Sequence, residues 1–321
     1  MCATLALAGD TMLGRGVAER LKADPAAPLF APEIADCIAG ADAFVLNLEC
    51  CISERGSRFP EPGKPFFFRA PPVAAVRLAE LGVDAVALAN NHALDYGADA
   101  LLDTLAAIEA AGIVAVGAGV DEETARAHRL VRCGELELRL LSFSDHPAGY
   151  AAGPEHAGIA FADLRAGLPT WVKEAMAYGD GDALVVTPHW GPNMVAEPLD
   201  YVRRAADALV AAGAMLVAGH SAHVFQAVAA EVLFDLGDFL DDYAVNRELR
   251  NDLGLLWLVE LERGGVGHVR AVPLALDYCF TRIASPAEAD WIVRRLQALC
   301  APFGTEVDCQ DGMIELRPES A

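Results

Sequence analysis

The chain is 321 residues long, enough for one large domain or two modest ones, and its 54% hydrophobic content allows a substantial core. A formal net charge of −22 excludes the basic footprint that nucleic acid requires and disfavours unassisted binding of any polyanion, although bound divalent cations reverse the field locally. No apolar run approaches the roughly 20 residues of a membrane span, and the first apolar stretch, with no basic region before it, leads almost at once to Asp10, so the chain reads as soluble and cytoplasmic.

In chain order, Thr4–Ala8 is predicted as a buried strand, Gly14–Leu21 as a helix and Ala43–Leu46 as a short strand. Ser53–Pro72, rich in Pro, Gly and Phe, is expected to be a long loop. A helix with proline in its first turn follows at Pro72–Leu81, then a strand at Val83–Ala89, a strongly periodic helix at Ala98–Ala111 stopped by Gly112, and a strand at Ile113–Val116. Arg129–Arg132 and Glu137–Phe143 read as a hairpin around Gly134-Glu135. Next come a helix at Leu164–Tyr178, a strand at Ala183–Thr187, a helix at Leu199–Ala212 and a strand at Ala214–Ala218. The pattern then turns antiparallel: Val224–Phe234 and Gly254–Leu261 are mostly apolar, and His268–Leu276 pairs with Gly254–Leu261 across Gly264-Gly265. A helix at Pro286–Leu299 leads to a polar tail. The whole is an α/β protein with mixed sheets and helices outside them. No linker separates domains, so residues 1–280 are expected to form the main domain and 281–321 a helical extension packed on it.

Polar motifs stand where predicted strands run out: Gly9-Asp10, Asn47-Leu48-Glu49, Asn90-Asn91-His92, His189-Trp190-Gly191 and Gly219-His220-Ser221-Ala222-His223. Carboxylate, amide and imidazole at successive strand ends suggest a metal cluster on the rim of one sheet, and hence metal-assisted hydrolysis. Gly219 permits a sharp turn that aims His220 and His223 at one point. Asp10 is a hard oxygen ligand or else the N-cap of the following helix; Glu49 is a ligand or a surface acid. Asn91 could ligate only through its amide oxygen. His92 is a second ligand or a general acid, and Asp95 either orients it or caps the helix from Ala98. Arg15 either reaches an anion near Asp10 or is a solvated helix cation. His128, His146, His156 and His268 have no such partners, with Asp145-His146 at a strand end the one to watch. The eight cysteines are scattered without a C-x-x-C spacing and read as free, mostly buried thiols; Cys50 and Cys51 touch the Glu49 motif. Dinucleotide, Walker A and Gly-x-Ser-x-Gly fingerprints are absent, which argues against nucleotide-cofactor, P-loop and serine chemistry.

The set GDTMLGR, NLE, ALANNHALDYG, HWGPNMVAEP and GHSAHVFQ resembles the CapA family of poly-γ-glutamate capsule biosynthesis proteins, within the calcineurin-like metallophosphoesterase superfamily, over Asp10 to about Phe239. KPFFFRAPP and LFDLGDF extend the match. The resemblance implies a four-layer α/β/β/α sandwich with a dinuclear site of Mn, Fe or Zn. It assigns Asp10 and His223 to a first metal, Asn91, His189 and His220 to a second, and Glu49 to the place between them. His92 would be the proton donor, Asp95 its orienting partner, and Arg15 and Lys64 contacts for the substrate anion. Met12 stands where the superfamily has a histidine, Glu49 where it has aspartate, Ser221-Ala222 where the family has His-Pro, and Asp238 where it has Asn. The first two departures imply a thin first metal site, and the others keep the main ligands but alter their surroundings, which implies a substrate other than the family's namesake. Two readings follow: a phosphoesterase-like hydrolase of a small or oligomeric anionic substrate, or an accessory subunit working with capsule or polyglutamate synthesis proteins and holding a structural or vestigial metal site.

Overall fold

The computed structural model describes residues 2–60, 63–177 and 179–318. Tyr178, the expected end of one helix, and Glu61 and Pro62 of the expected long loop lie outside the described residues. Two mixed sheets face each other. In the larger, the central strand Cys2–Thr11 runs parallel to Ala43–Leu48, which is followed outward by Ala85–Ala87 and Val114–Val116. On its other side Cys2–Thr11 is antiparallel to Leu253–Glu262, and then come Gly265–Asp277 and Met313–Arg317. The second sheet has Ala183–His189 at its centre, parallel to Leu136–Ser144 on one side and Leu216–Ala218 on the other.

The period-2 geometry of a strand explains why LALA is apolar throughout. Leu5 and Leu7 point into the core between the sheets, with Val45, Trp257 and Val259 from the same sheet and Leu138, Leu140 and Val185 from the other. Ala6 and Ala8 point the opposite way, into a second core with Phe44, Leu46, Val17, Ile34, Leu78 and Leu101. The helices Arg15–Ala23, Pro32–Ala39, Val73–Leu81 and Gly97–Ala110 supply the outer half of that second core. Helices Thr170–Ala177 and Asp200–Ala211 bury Val172, Met176, Val202 and Leu209 on the far side of the second sheet. The result is the expected α/β/β/α sandwich. Among the described residues no helix is long and apolar enough to cross a membrane.

Some expectations need correction. Pro32–Ala39 is a helix that the sequence reading left unassigned. The apolar run Val224–Phe234 carries only the two-residue strands Val228–Ala229 and Val232–Leu233, because its apolar side chains serve a turn packed in the core. The polar tail is a hairpin, Glu306–Gln310 with Met313–Arg317, which adds strands to the edge of the larger sheet. Ile314 and Leu316 face the core there while Glu315 and Arg317 face outward, an alternation short enough to pass for a polar segment.

The preceding helix, Pro286–Cys300, starts at a capping box of Ser285 and Glu288. Hydrogen bonds from Arg282 hold the Glu288 carboxyl down to about 2 from its ordinary 4.5. The folded state therefore favours the charged carboxylate, and its contribution is present above pH 4.5 and fades as pH falls below that value. Because the pair is largely solvated, its worth lies in the range of about 0–1 kcal/mol. Glu288→Gln should lower the urea midpoint at neutral pH by no more than that range, and the gap to wild type should shrink steadily as the pH falls from 4.5 towards about 3.

Candidate metal centre

The strand ends of both sheets meet at one place. Asp10 lies where the register of Cys2–Thr11 slips, opposite Asn47 on one side and Asp238 on the other. Gly9 makes this possible: a Cβ there would lie 1.9 Å from the Gly237 carbonyl oxygen, so only glycine lets the strand Asp238–Leu240 come alongside. An amide chain aims the carboxylate. Asn90 Nδ2 donates to Asn47 Oδ1 at 3.0 Å, and Asn47 Nδ2 donates to Asp10 Oδ1 at 2.7 Å. Asp10 is thus no helix cap; the helix Arg15–Ala23 begins at Gly14 without a side-chain cap.

From the second sheet, His189 ends its strand and bridges to His220 through the backbone, their Nδ1 atoms 2.8 Å apart. A Cβ on Gly219 would lie 2.3 Å from the Phe234 carbonyl and from Trp190 Nε1. Beyond it, Ser221 and His223 adopt φ of 123° and 58°, conformations uncommon for side-chain-bearing residues. Two hydrogen bonds hold that turn: Ala222 N–H to Asp235 Oδ2 at 2.8 Å and Ser221 Oγ to the Gly191 carbonyl at 3.0 Å.

Two donor groups result, Asp10–His189–His220 and Asp10–Glu49–His223–Asp238, with the ligand atoms in each within 4.8 Å of one another. All six residues are at most 6% exposed, so water cannot satisfy them from outside. Asp10 Oδ2, both Glu49 carboxylate oxygens, Asp238 Oδ2, His189 Nε2 and the Asn91 amide oxygen are buried without a hydrogen-bond partner. A native fold seldom tolerates so many orphaned acceptors in one place. Divalent cations with mixed nitrogen and oxygen coordination fit them.

The electrostatics agree. Burial pushes Glu49 well above the usual carboxylate range, and the neighbouring Asp10 adds to it. Asp238 is likewise pushed well up by burial and by Asp241 and Asp10. Asp10 is raised by burial against the opposing pull of His223 and Asn47. Burial, then His220, drives His189 well down, and burial alone takes His220 down to about 3, so both imidazoles are neutral and able to ligate. His223 is the exception: burial opposes its charge, but Glu49 and Asp10 outweigh burial and raise it. The protein's own charges leave carboxylates crowded in a dry site, a costly arrangement without a cation.

His92 stands beside this cluster, Nε2 3.9 Å from Glu49 Oε1 and Nδ1 2.6 Å from Asp95 Oδ2. Asp95 also accepts from the Phe68 N–H at 2.5 Å, Lys64 Nζ at 3.0 Å and Tyr150 Oη at 3.1 Å. It therefore orients His92 and caps nothing; the helix Gly97–Ala110 starts at Tyr96 without a side-chain cap. Phe68 stacks on the His92 ring at 4.0 Å between centroids. Burial lowers His92 to about 4 despite Asp95.

A family profile described as bacterial capsule synthesis protein PGA_cap matches residues 4–243. The chain belongs to the PGA_cap family. It is 31% identical over 301 residues to the probable polyglutamine synthesis accessory protein of Mycobacterium tuberculosis, covering 86% of this chain and 77% of that protein. It is 26% identical over 272 residues to the PGA biosynthesis protein CapA of Bacillus subtilis, covering 83% and 70%. Among solved structures it is similar to a hypothetical protein from Thermus thermophilus, with a TM-score of 0.48, 14% identity, and coverage of 84% of this chain and 98% of that one.

Of the residues that the sequence reading brought together in this PGA_cap chain, Asp10, Glu49, His189, His220 and His223 share the two donor groups, and Asn91 and His92 adjoin them. Asp10 is a member of both groups, at the slipped register that sets it between Asn47 and Asp238. Asp238 was not among the expected donors, although its departure from the family's Asn was visible; it gives the donor group around Asp10 and His223 a fourth member. Met12 is buried, with its sulfur accepting the Gly14 N–H at 3.0 Å. Arg15 is held by Asp242 and Lys64 by Asp95 and the Asn91 carbonyl. The supporting Asn47, Asn90 and Asp235 were quoted in motifs or overlooked, since nothing local shows which way an amide points. Asp145-His146 lands beside the cluster, with the His146 and His189 rings 5.2 Å apart and Asp145 taking bonds from Tyr201 and Gly191.

Adding Mn²⁺ or Zn²⁺ to chelator-treated protein should raise its melting point, with about 2.7 kcal/mol of stabilisation at a hundredfold excess over Kd. Asp238→Ala should weaken that binding by at least the ~10–100-fold that losing an outer partner of a metal site costs. Asp10→Asn should do more, since both groups contain it; equal melting curves with and without metal in the wild type would refute the site.

Proposed function

We propose that this chain is a metal-dependent hydrolase of phosphoesters or related anionic esters, using a dinuclear centre. The observation that carries the reading is the meeting of orphaned, buried donors with His92, whose imidazole faces them and is fixed from behind by Asp95. Asp10, His189 and His220 would hold one ion and Asp10, Glu49, His223 and Asp238 the other, with the Asn91 amide oxygen a further donor. Bound divalent ions would supply Lewis acidity and an activated water for in-line attack at phosphorus.

The chain's own residues supply the rest. His92 holds or moves a proton at Nε2, the ring nitrogen turned towards the cluster, while Nδ1 stays on Asp95. Lys64, Tyr150 and the Phe68 amide pin Asp95, so the ring cannot turn away without breaking a bonded network. Phe68 lies flat on the ring and excludes water from that face.

The names of the mycobacterial and Bacillus relatives favour a second reading, in which the chain is an accessory subunit of a polyglutamate or capsule synthesis machine and its metal site is structural or vestigial. Substitution separates the two. His92→Asn should leave metal content unchanged and reduce phosphoester turnover by about 10²–10⁴-fold, the usual worth of general acid–base catalysis. His189→Ala should lose metal and turnover together. No turnover of a broad ester panel by the metal-loaded wild type, with full complementation by a His92→Asn, His189→Ala double variant, would decide for the accessory role.

A further inference from the structure

The donors open into a cleft of about 580 Å³, a size suited to a small-molecule ligand. Its floor is His92 and His223; its walls are Phe66, Phe68, Met194, Tyr243 and Val245. Phe68 stacks on His92 and Tyr243 packs edge-on to His223 at 5.2 Å, so the aromatic lining reaches down to the site itself. At the mouth Phe66 is 54% and Val245 52% exposed, so both present apolar surface to whatever enters the cleft.

The cations point the same way. Arg15 is the only lysine or arginine among the described residues lining the cleft. Its guanidinium is spent: it bonds Asp242 at 2.9 and 3.1 Å and lies over the Phe66, Phe68 and Tyr243 rings at 5.4–5.7 Å. Arg15 thus clamps the loop before Arg69 to the loop around Tyr243 rather than offering a free charge. Lys64 is 10% exposed and faces Asp95 and the Asn91 carbonyl. The remaining polar lining is neutral, Asn193, Asn246, Asn251 and the Tyr243 hydroxyl, which is buried without a hydrogen-bond partner, while Asn251 is taken up by Asn246 N–H and the Ala244 carbonyl. A row of carboxylates laid along this cleft would find no free counter-charge on a chain of net charge −22. An aromatic or branched apolar body would find walls on both sides.

We infer that the cleft takes a small molecule with a single anionic head, directed at the metal donors, and an aromatic or apolar body held between Phe66, Tyr243 and Val245, and that it does not take a polycarboxylate chain. This rests on the hydrolase reading for the position of the head group. The test is binding, so that it stands apart from turnover. With Mn²⁺-loaded protein, calorimetry should give phenylphosphonate about tenfold or more tighter binding than methylphosphonate, the scale that one well-packed apolar group contributes to discrimination. Oligo-γ-glutamate should fail to displace it. Phe66→Ala and Val245→Ala should each erode the phenyl preference, weakening phenylphosphonate more than methylphosphonate, with metal content as in wild type. Equal affinity for the two phosphonates, or displacement by oligo-γ-glutamate at comparable concentration, would overturn the inference and leave the hydrolase reading standing. A phenyl preference without turnover of any member of the ester panel would support the inference as a binding site and sink the hydrolase. No binding of either phosphonate or of inorganic phosphate would overturn both.

Discussion

The interaction on which this structure turns is the unsatisfied attraction between buried carboxylates and a cation that the chain does not itself supply. Asp10, Glu49 and Asp238 are packed together out of reach of water, and the imidazoles of His189 and His220 beside Asp10 are neutral. The nearest protein cation, His223, is one charge among several acids, with Asp235 and Asp241 close behind. Such a cluster survives folding only if the energy gained from two packed cores exceeds the cost of assembling it. The sandwich provides that energy, since both faces of Cys2–Thr11 are buried and each carries its own apolar set.

Much of the surrounding detail is what holds the cluster in place. Gly9 and Gly219 give two backbones room to approach. The Asn90–Asn47 amide chain and the Asp235 clamp fix the two halves of the site from different sheets. His92 has a separate support in Asp95, which bonds four residues, His92 itself, Phe68, Lys64 and Tyr150.

Much of the site was legible because strand-end chemistry leaves a local trace: an apolar run, then a glycine or asparagine, then a residue that ligates. That pattern brought out Asp10, Glu49, Asn91, His92, His189, His220 and His223. Asp238 escaped it. The strand it begins is three residues long, and its proximity to Asp10 depends on a slipped register in a strand far away in sequence. The C-terminal hairpin escaped for a similar reason: one buried face of two residues is too short for periodicity to separate from a polar tail. Arg15 was visible as a cation near the site, but its commitment to Asp242 was not.

By itself the sequence determined the alternation of strands and helices, the α/β class and the residue types that gather at the strand ends, because these follow from hydrophobic periodicity and turn chemistry within a few residues. Only the tertiary structure decided that Asp10 stands in both donor groups, that Asp238 joins the group around His223, that Arg15 bonds Asp242, and that the cleft beside them has aromatic walls with Arg15 the one lysine or arginine among its described lining residues. Each of these depends on which distant strand ends and loops come to lie side by side, and that is fixed by the packing of two sheets rather than by local preference.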